Sequence, residues 1–428
     1  MWGLQRELSR RAWLLSAWGA GATATAAGAN PPALDLFFSL LEEDSAKSNR
    51  AMKGLAEVWS NAYAAMVLEI LGVFLAVAKG VEPATVEAIR SRVMRFLAAR
   101  TRRDFGVDTR SWTQWAWALP YEPHPQYGEF KGLVYAWLDT RMRDFFPPGV
   151  AAKLRLDQIE WGGVRVNGIP PLENPAMIEA AGASYLRDSN VVFGIEANGQ
   201  AKAYPKRILA WHEMAIDRVG ELDLTIVYCT LCGTVIPYLS TVAGRKFTFG
   251  TSGLLYQSSK LMFDHETKSL WPTLQGQPMV GPLAGADLTL AYEPVVTSTW
   301  GEWRTRYPET LVLSLETGHK RDYSEGAAYR DYFGTQELMF EVSRKDRRLK
   351  NKDEVLVIRL EGKTPLAIAV RLLERQEAFE YIHEGVTMTV RTDKSGANRA
   401  YVDGRRIPAH RAFWFGWYAQ FPESILVK

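Results

Sequence analysis

The chain has 428 residues, of which 47% are hydrophobic and 23% charged, and it carries a net charge of +3. This is the balance of a globular protein long enough for two or three domains, and the charge is too small to point to a nucleic-acid partner. Its two cysteines exclude a four-cysteine metal site within one chain.

Residues 1–30 read as an export signal. Ser9-Arg10-Arg11-Ala12-Trp13-Leu14 precedes a weakly apolar stretch ending Ala26-Ala27-Gly28-Ala29. Paired arginines, a modest apolar run and small residues at a cleavage point are the pattern of a twin-arginine signal. An Ala-rich first helix of a cytoplasmic protein is the alternative.

Residues 31–155 read as a helical domain. Ala33–Leu41, Ser48–Leu71, Ala84–Arg100 and Phe130–Phe146 carry apolar residues at helical spacing, with Leu55, Val58, Trp59, Tyr63, Met66 and Ile70 forming one stripe. Val81-Glu82-Pro83 and Pro120–Pro125 break the pattern, so a short array of helix pairs is expected. Trp112, Trp115, Trp117 and Tyr121 read as helix packing rather than a cofactor box. Ile70–Ala78 is too short, and too closely flanked by Glu69 and Lys79, to span a bilayer; no stable transmembrane helix is expected.

From residue 156 the pattern changes to short β-branched and aromatic runs punctuated by Gly, Pro, Asn and Asp. The expected fold class is α+β: an all-helical N-terminal domain, then a mixed, mostly antiparallel β-rich domain over 156–428, with residues from 340 forming either a sub-lobe or the end of the same sheets. Val191–Tyr204 reads as a hairpin turning at Asn198-Gly199. Short helices are expected at Pro175–Tyr185, Pro205–Arg218 and Trp300–Tyr307, and strands at Leu288–Tyr292 and Ala412–Trp417, among others. The mixed-sign run Arg344–Glu354 reads as a solvated loop.

Cys229-Thr230-Leu231-Cys232-Gly233 is the most pointed motif. Two thiols at this spacing form a short disulfide, hold one metal ion or exchange electrons. The pair sits between the strand-like Leu222–Tyr228 and Thr234–Ser240. A thioredoxin-type dithiol begins a helix, but no helical period starts here and Pro237 opposes one. Gly233 suits a metal knuckle, because glycine accepts φ > 0 and lets backbone N–H groups point at sulfur. Ser252 and Gly253, in Phe249-Gly250-Thr251-Ser252-Gly253, are candidates for holding a cofactor or anion on backbone N–H groups; a strand-ending bulge is the alternative.

Further motifs run in order along the second half: Trp161-Gly162-Gly163-Val164 with Gly168-Ile169-Pro170-Pro171, Ala203-Tyr204-Pro205 leading to Trp211-His212-Glu213, the cysteine motif preceded by Tyr228, and Phe249–Tyr256. Asp264, Leu270-Trp271, Gly281-Pro282-Leu283, Trp303, Tyr307-Pro308-Glu309-Thr310, Thr317-Gly318, Arg321-Asp322-Tyr323 and Ala412–Trp417 follow. On these stretches the chain resembles, from about Arg155 onward, the bacterial domain-of-unknown-function family 3179. The resemblance implies no assigned chemistry. It does imply an extracytoplasmic protein, periplasmic or secreted, with a cytoplasmic one as the alternative.

The family carries a bulky aromatic where His319 stands, which favours His212 as the third member of a metal site with Cys229 and Cys232. Such a sulfur and imidazole set suits Cu or Zn. Glu213 or Asp217 would orient the imidazole, and Glu213, Cys229 and Cys232 are the candidate catalytic residues. His265 reads as a solvated turn residue, and Asp264, Arg321 and Asp322 as a polar rim or a salt bridge. Three readings stand: a metal-binding or redox protein, a thiol–disulfide protein with no cofactor, and a non-enzymatic module that binds a glycan or protein and uses the cysteines as a staple. Whether the chain is an enzyme is open. The partner is an unspecified small molecule or protein.

Overall fold

The computed structural model describes residues 31–428, so the twin-arginine segment lies outside the described residues. The chain forms two compact units. One takes the described residues up to Val150 together with Arg155–Asp157; the other takes Ala151–Leu154 and Gln158–Lys428. The expected boundary at 155/156 is therefore interleaved. Arg155 returns to the helical unit because its guanidinium donates to the carbonyls of Ala116, Trp117 and Leu119 at the end of a helix. Residues from 340 onward stay within the second unit.

The helical unit contains α1 (Leu34–Ser39), α2 (Ser45–Glu57), α3 (Ala64–Val77), α4 (Pro83–Thr101), α5 (Thr109–Ala118) and α6 (Tyr127–Tyr135). The continuous helix expected over Ser48–Leu71 is two helices. The Asp44 carboxylate caps α2, and the Ser60 hydroxyl caps a 3-10 turn that leads into α3. The helices do not stack as pairs in series. α3 contacts α1, α4, α5 and α6, and buries Met66, Val67, Ile70, Leu71, Val73 and Phe74. A helix apolar on nearly every side needs partners on several sides, so these four gather round it. Trp112 and Trp117 are buried, with Trp112 Nε1 donating to Gly106 O and Trp117 Nε1 to Asp157 O, as packing residues do. Among the described residues no helix is long and apolar enough to cross a membrane.

The second unit is β-rich. Five sheets of four or five strands are arranged as the blades of a propeller-like ring, and a two-stranded ribbon is added. Pairing is mostly antiparallel; Leu172–Glu173, Leu311–Leu313 and Ile425–Val427 each make a parallel pairing. The blades are not built from consecutive strands. Ile159–Trp161 joins Phe249–Tyr256, Leu172–Glu173 joins Met214–Val219, and Met177–Glu179 joins Leu311–Leu313. Some twenty residues of chain thus add one strand to each of three sheets, a connectivity no local pattern announces. The edge strands Thr234–Leu239, Val295–Thr299 and His410–Phe413, from three different blades, lie against one another.

The hairpin at Asn198-Gly199 forms as expected, with both turn residues at positive φ (49° and 78°) and Ala197 opposite Gln200. Trp300–Arg306 is helical, as expected. Other expectations change. Pro175–Tyr185 holds the strand Met177–Glu179 and a 3-10 turn, because pairing with Leu311–Leu313 overrides a weak helical pattern. Helix α7 (Lys206–His212) stops where Glu213 turns left-handed, and Met214–Val219 continues as a strand against Leu222–Cys229. Leu288–Tyr292 contributes only an isolated bridge, Tyr238 to Tyr292. Ala412–Trp417 divides into the end of a strand and the start of the helix Trp414–Gln420.

Candidate functional site

The strands Leu222–Cys229 and Thr234–Leu239 pair from Leu224 opposite Leu239 to Cys229 opposite Thr234, which puts the cysteine motif in the hairpin turn. Cys229 and Cys232 are joined by a disulfide with Cα atoms 5.4 Å apart. Gly233 has φ +60°, and a Cβ there would meet the Phe413 ring at 2.7 Å, so both its conformation and its space demand glycine. The Ser259 hydroxyl donates to Cys232 Sγ at 3.2 Å. Cys229 is 1% exposed and Cys232 fully buried.

A buried polar cluster adjoins this turn. Glu213, held left-handed at the end of α7 (φ 55°), receives a hydrogen bond on Oε1 from Thr230 Oγ1 at 3.0 Å, inside the cysteine motif. Tyr329 OH donates to the same oxygen at 3.2 Å. Lys260 Nζ donates to the carbonyls of Glu213 and Tyr228 and lies 3.7 Å from Glu213 Oε2. Burial pulls the Lys260 ammonium down to about 8, against the opposing pull of Glu213. The segment between the strands Leu311–Leu313 and Glu354–Ile358, which includes α8 (Arg330–Phe333), covers the turn. Tyr332 OH donates to Leu231 O at 2.7 Å, and Tyr332 and Val342 pack with Leu231, Phe413 and Phe415 around the disulfide.

His212 lies one residue before Glu213 and is fully buried. Its Nδ1 is 2.9 Å from the Pro170 carbonyl, which can only accept, so Nδ1 carries the proton. Nε2 then accepts from Tyr323 OH at 2.6 Å. Burial is the main reason the imidazole is pushed down to about 4. The His319 ring packs 5.1 Å from it. With both ring nitrogens and both sulfurs engaged, these side chains do not fit a metal ion as folded. Among the described residues no group of three or more His, Cys, Asp and Glu side chains is placed to hold one. The groups that orient His212 are Pro170 and Tyr323; Glu213 turns to the cysteine motif, and Asp217 pairs with Lys202 and Tyr204.

The remaining candidates are structural. Ser252 Oγ donates to Leu261 O and accepts from Leu254 N, and the register shift between Thr251 and Leu255 makes the Ser252-Gly253 stretch a bulge. His265 is an exposed turn residue. Asp264 is buried and accepts from Thr267 and Trp271, while the side chains of Arg321 and Asp322 are exposed and bond locally, so the three form neither a rim nor a salt bridge. Lys260, Ser259, Tyr329 and Tyr332 carry no mark in the sequence, and Tyr323 is marked only as part of Arg321-Asp322-Tyr323. Only the fold brings them to the motif, and none carries a spacing that marks it.

Residues 166–403 match the family described as a protein of unknown function, DUF3179. The match spans more than half of the chain, and the chain belongs to that family. No curated protein and no solved structure matches it.

Proposed function

We propose that the protein is a thiol–disulfide redox protein in which Cys229 and Cys232 alternate between a disulfide and a dithiol. The observation that carries this reading is the setting of the bond: a hydroxyl donor on Cys232 Sγ and the buried Lys260–Glu213 pair against the turn. A hydroxyl donor on sulfur favours thiolate, the reactive form.

A staple alone explains the bond less well. The hairpin is already paired for six residues on each strand. A loop this short stabilises by only about 2 kcal/mol in the chain-entropy account.

In the proposed exchange, a thiolate of a partner dithiol attacks Cys229 Sγ and the bond to Cys232 breaks. Cys232 leaves as a thiolate held by Ser259. The partner's second thiol then displaces Cys229 and closes the partner's own disulfide. Two electrons and two protons pass from the partner to the cysteine pair. Because both sulfurs are buried, the covering segment around Tyr329 and Tyr332 must withdraw first. An oxidising, extracytoplasmic compartment, as the twin-arginine pattern suggests, would keep the pair in the state seen here.

The test is to equilibrate the native protein in graded dithiothreitol or glutathione buffers, trap thiols with a maleimide and count them by mass. The expected result is a reversible change of two thiols without loss of fold. Resistance to reduction until the protein unfolds would leave only the staple.

A further inference from the structure

A second polar cluster lies where the edge strands of different blades meet. Its centre is Arg359. The guanidinium sits 4.7 Å from the centroid of the Tyr292 ring, and its Nη1 donates to Gln275 O at 3.0 Å. Its Nε and Nη2 are buried without a hydrogen bond of good geometry, although the Tyr238 and Tyr292 hydroxyls lie close enough to favour its charge. Among the described residues no carboxylate pairs with it. Tyr292 OH and His410 Nε2 are likewise buried without such a bond. The Tyr292 and His410 rings are 5.7 Å apart, and His410 is 1% exposed.

Two physical costs converge here. A buried guanidinium without a counter-charge is costly, and so is each buried donor left unpaired. The two free groups of Arg359 are both donors. Nε and Nη2 form the edge of the guanidinium that engages two oxygens side by side. His410 Nδ1 lies 2.7 Å from Thr234 Oγ1 and 3.2 Å from the Arg411 carbonyl, which can only accept, so Nδ1 carries the proton and Nε2 is a free acceptor.

We propose that this cluster is an anion site, in which Arg359 takes two oxygens of a small carboxylate or inorganic oxoanion through Nε and Nη2, with the Tyr292 hydroxyl as a further donor. The ion supplies the missing counter-charge and the missing acceptors together.

The test titrates acetate and inorganic phosphate, against chloride at matched ionic strength, while following the unfolding temperature of the intact protein. A saturable rise with acetate or phosphate and none with chloride is expected. Arg359→Lys, which keeps the charge and removes the fork, should weaken the apparent affinity at least tenfold. Tyr292→Phe, a milder change that serves if Arg359→Lys does not fold, should weaken it several-fold. The absence of a saturable rise in the wild-type protein, or affinities unchanged in both variants, overturns the proposal.

Discussion

The carboxylate of Glu213 and the hydroxyl of Tyr329 meet at 3.2 Å, which ties the residue that ends α7 to the segment covering the disulfide. Thr230 donates to the same oxygen from within the cysteine motif. One buried carboxylate therefore reports on both the turn and its cover.

Glu213→Gln leaves Lys260 buried without its counter-charge, and Lys260→Met leaves the carboxylate in the same position. Each single change should cost about 3–5 kcal/mol of stability, and the double variant distinctly less than the sum. Urea unfolding of the four proteins measures the coupling. Strict additivity would mean the pair does not interact.

Loosening the cover should expose the sulfurs. Tyr329→Phe and Tyr332→Phe each delete one hydrogen bond that pins the segment, to Glu213 and to Leu231. Each should speed reduction by dithiothreitol several-fold with a stability loss of only about 1 kcal/mol. Reduction rates equal to the wild type would show that access does not pass through this segment.

Stability should fall on acidification. His212 and His410 are pushed down to about 4 and about 3, mainly by burial. In the unfolded chain each takes up a proton below about pH 6.5. Between pH 6.5 and 4 the unfolded state therefore binds more protons, so stability is full above about pH 7 and declines as the pH drops, by up to ~1.4 kcal/mol per pH unit for each histidine. Unfolding free energies from pH 8 to 4 provide the check, and His410→Gln should flatten the slope.

Gly233→Ala places a methyl at positive φ and against the Phe413 ring. A destabilisation of about 1–3 kcal/mol is expected. Pairing it with Phe413→Leu, which opens space, should restore only the steric part. Full recovery in the pair would show that the backbone conformation is not strained.

The division into a helical and a β-rich unit was legible because helical spacing gives way to short strand-like runs, and Asn198-Gly199 fixed its hairpin by turn chemistry alone. The placement of Cys229 and Cys232 between two strands was legible for the same local reason. The blade arrangement was not, since Ile159–Trp161, Leu172–Glu173 and Met177–Glu179 are two or three residues long and join distant partners. His212 was found, but not its role: Pro170 and Tyr323, which occupy its nitrogens, come from elsewhere in the chain. Lys260 looked like any lysine at a strand start. Its burial depends on the sheet packing beneath the turn.

The strands Ile159–Trp161 and Ile425–Val427 lie outside the matched stretch 166–403, yet each completes a blade, as does His410–Phe413. Because Arg405–Arg406 also lies beyond residue 403 and edges a third sheet, trimming the chain to the matched stretch would leave three blades with open edges and bare backbone amides, a template for association between copies. What has to be inherited as a piece is therefore wider than what sequence similarity delimits, and a recombination event that respects only the matched limits would yield an aggregating fragment.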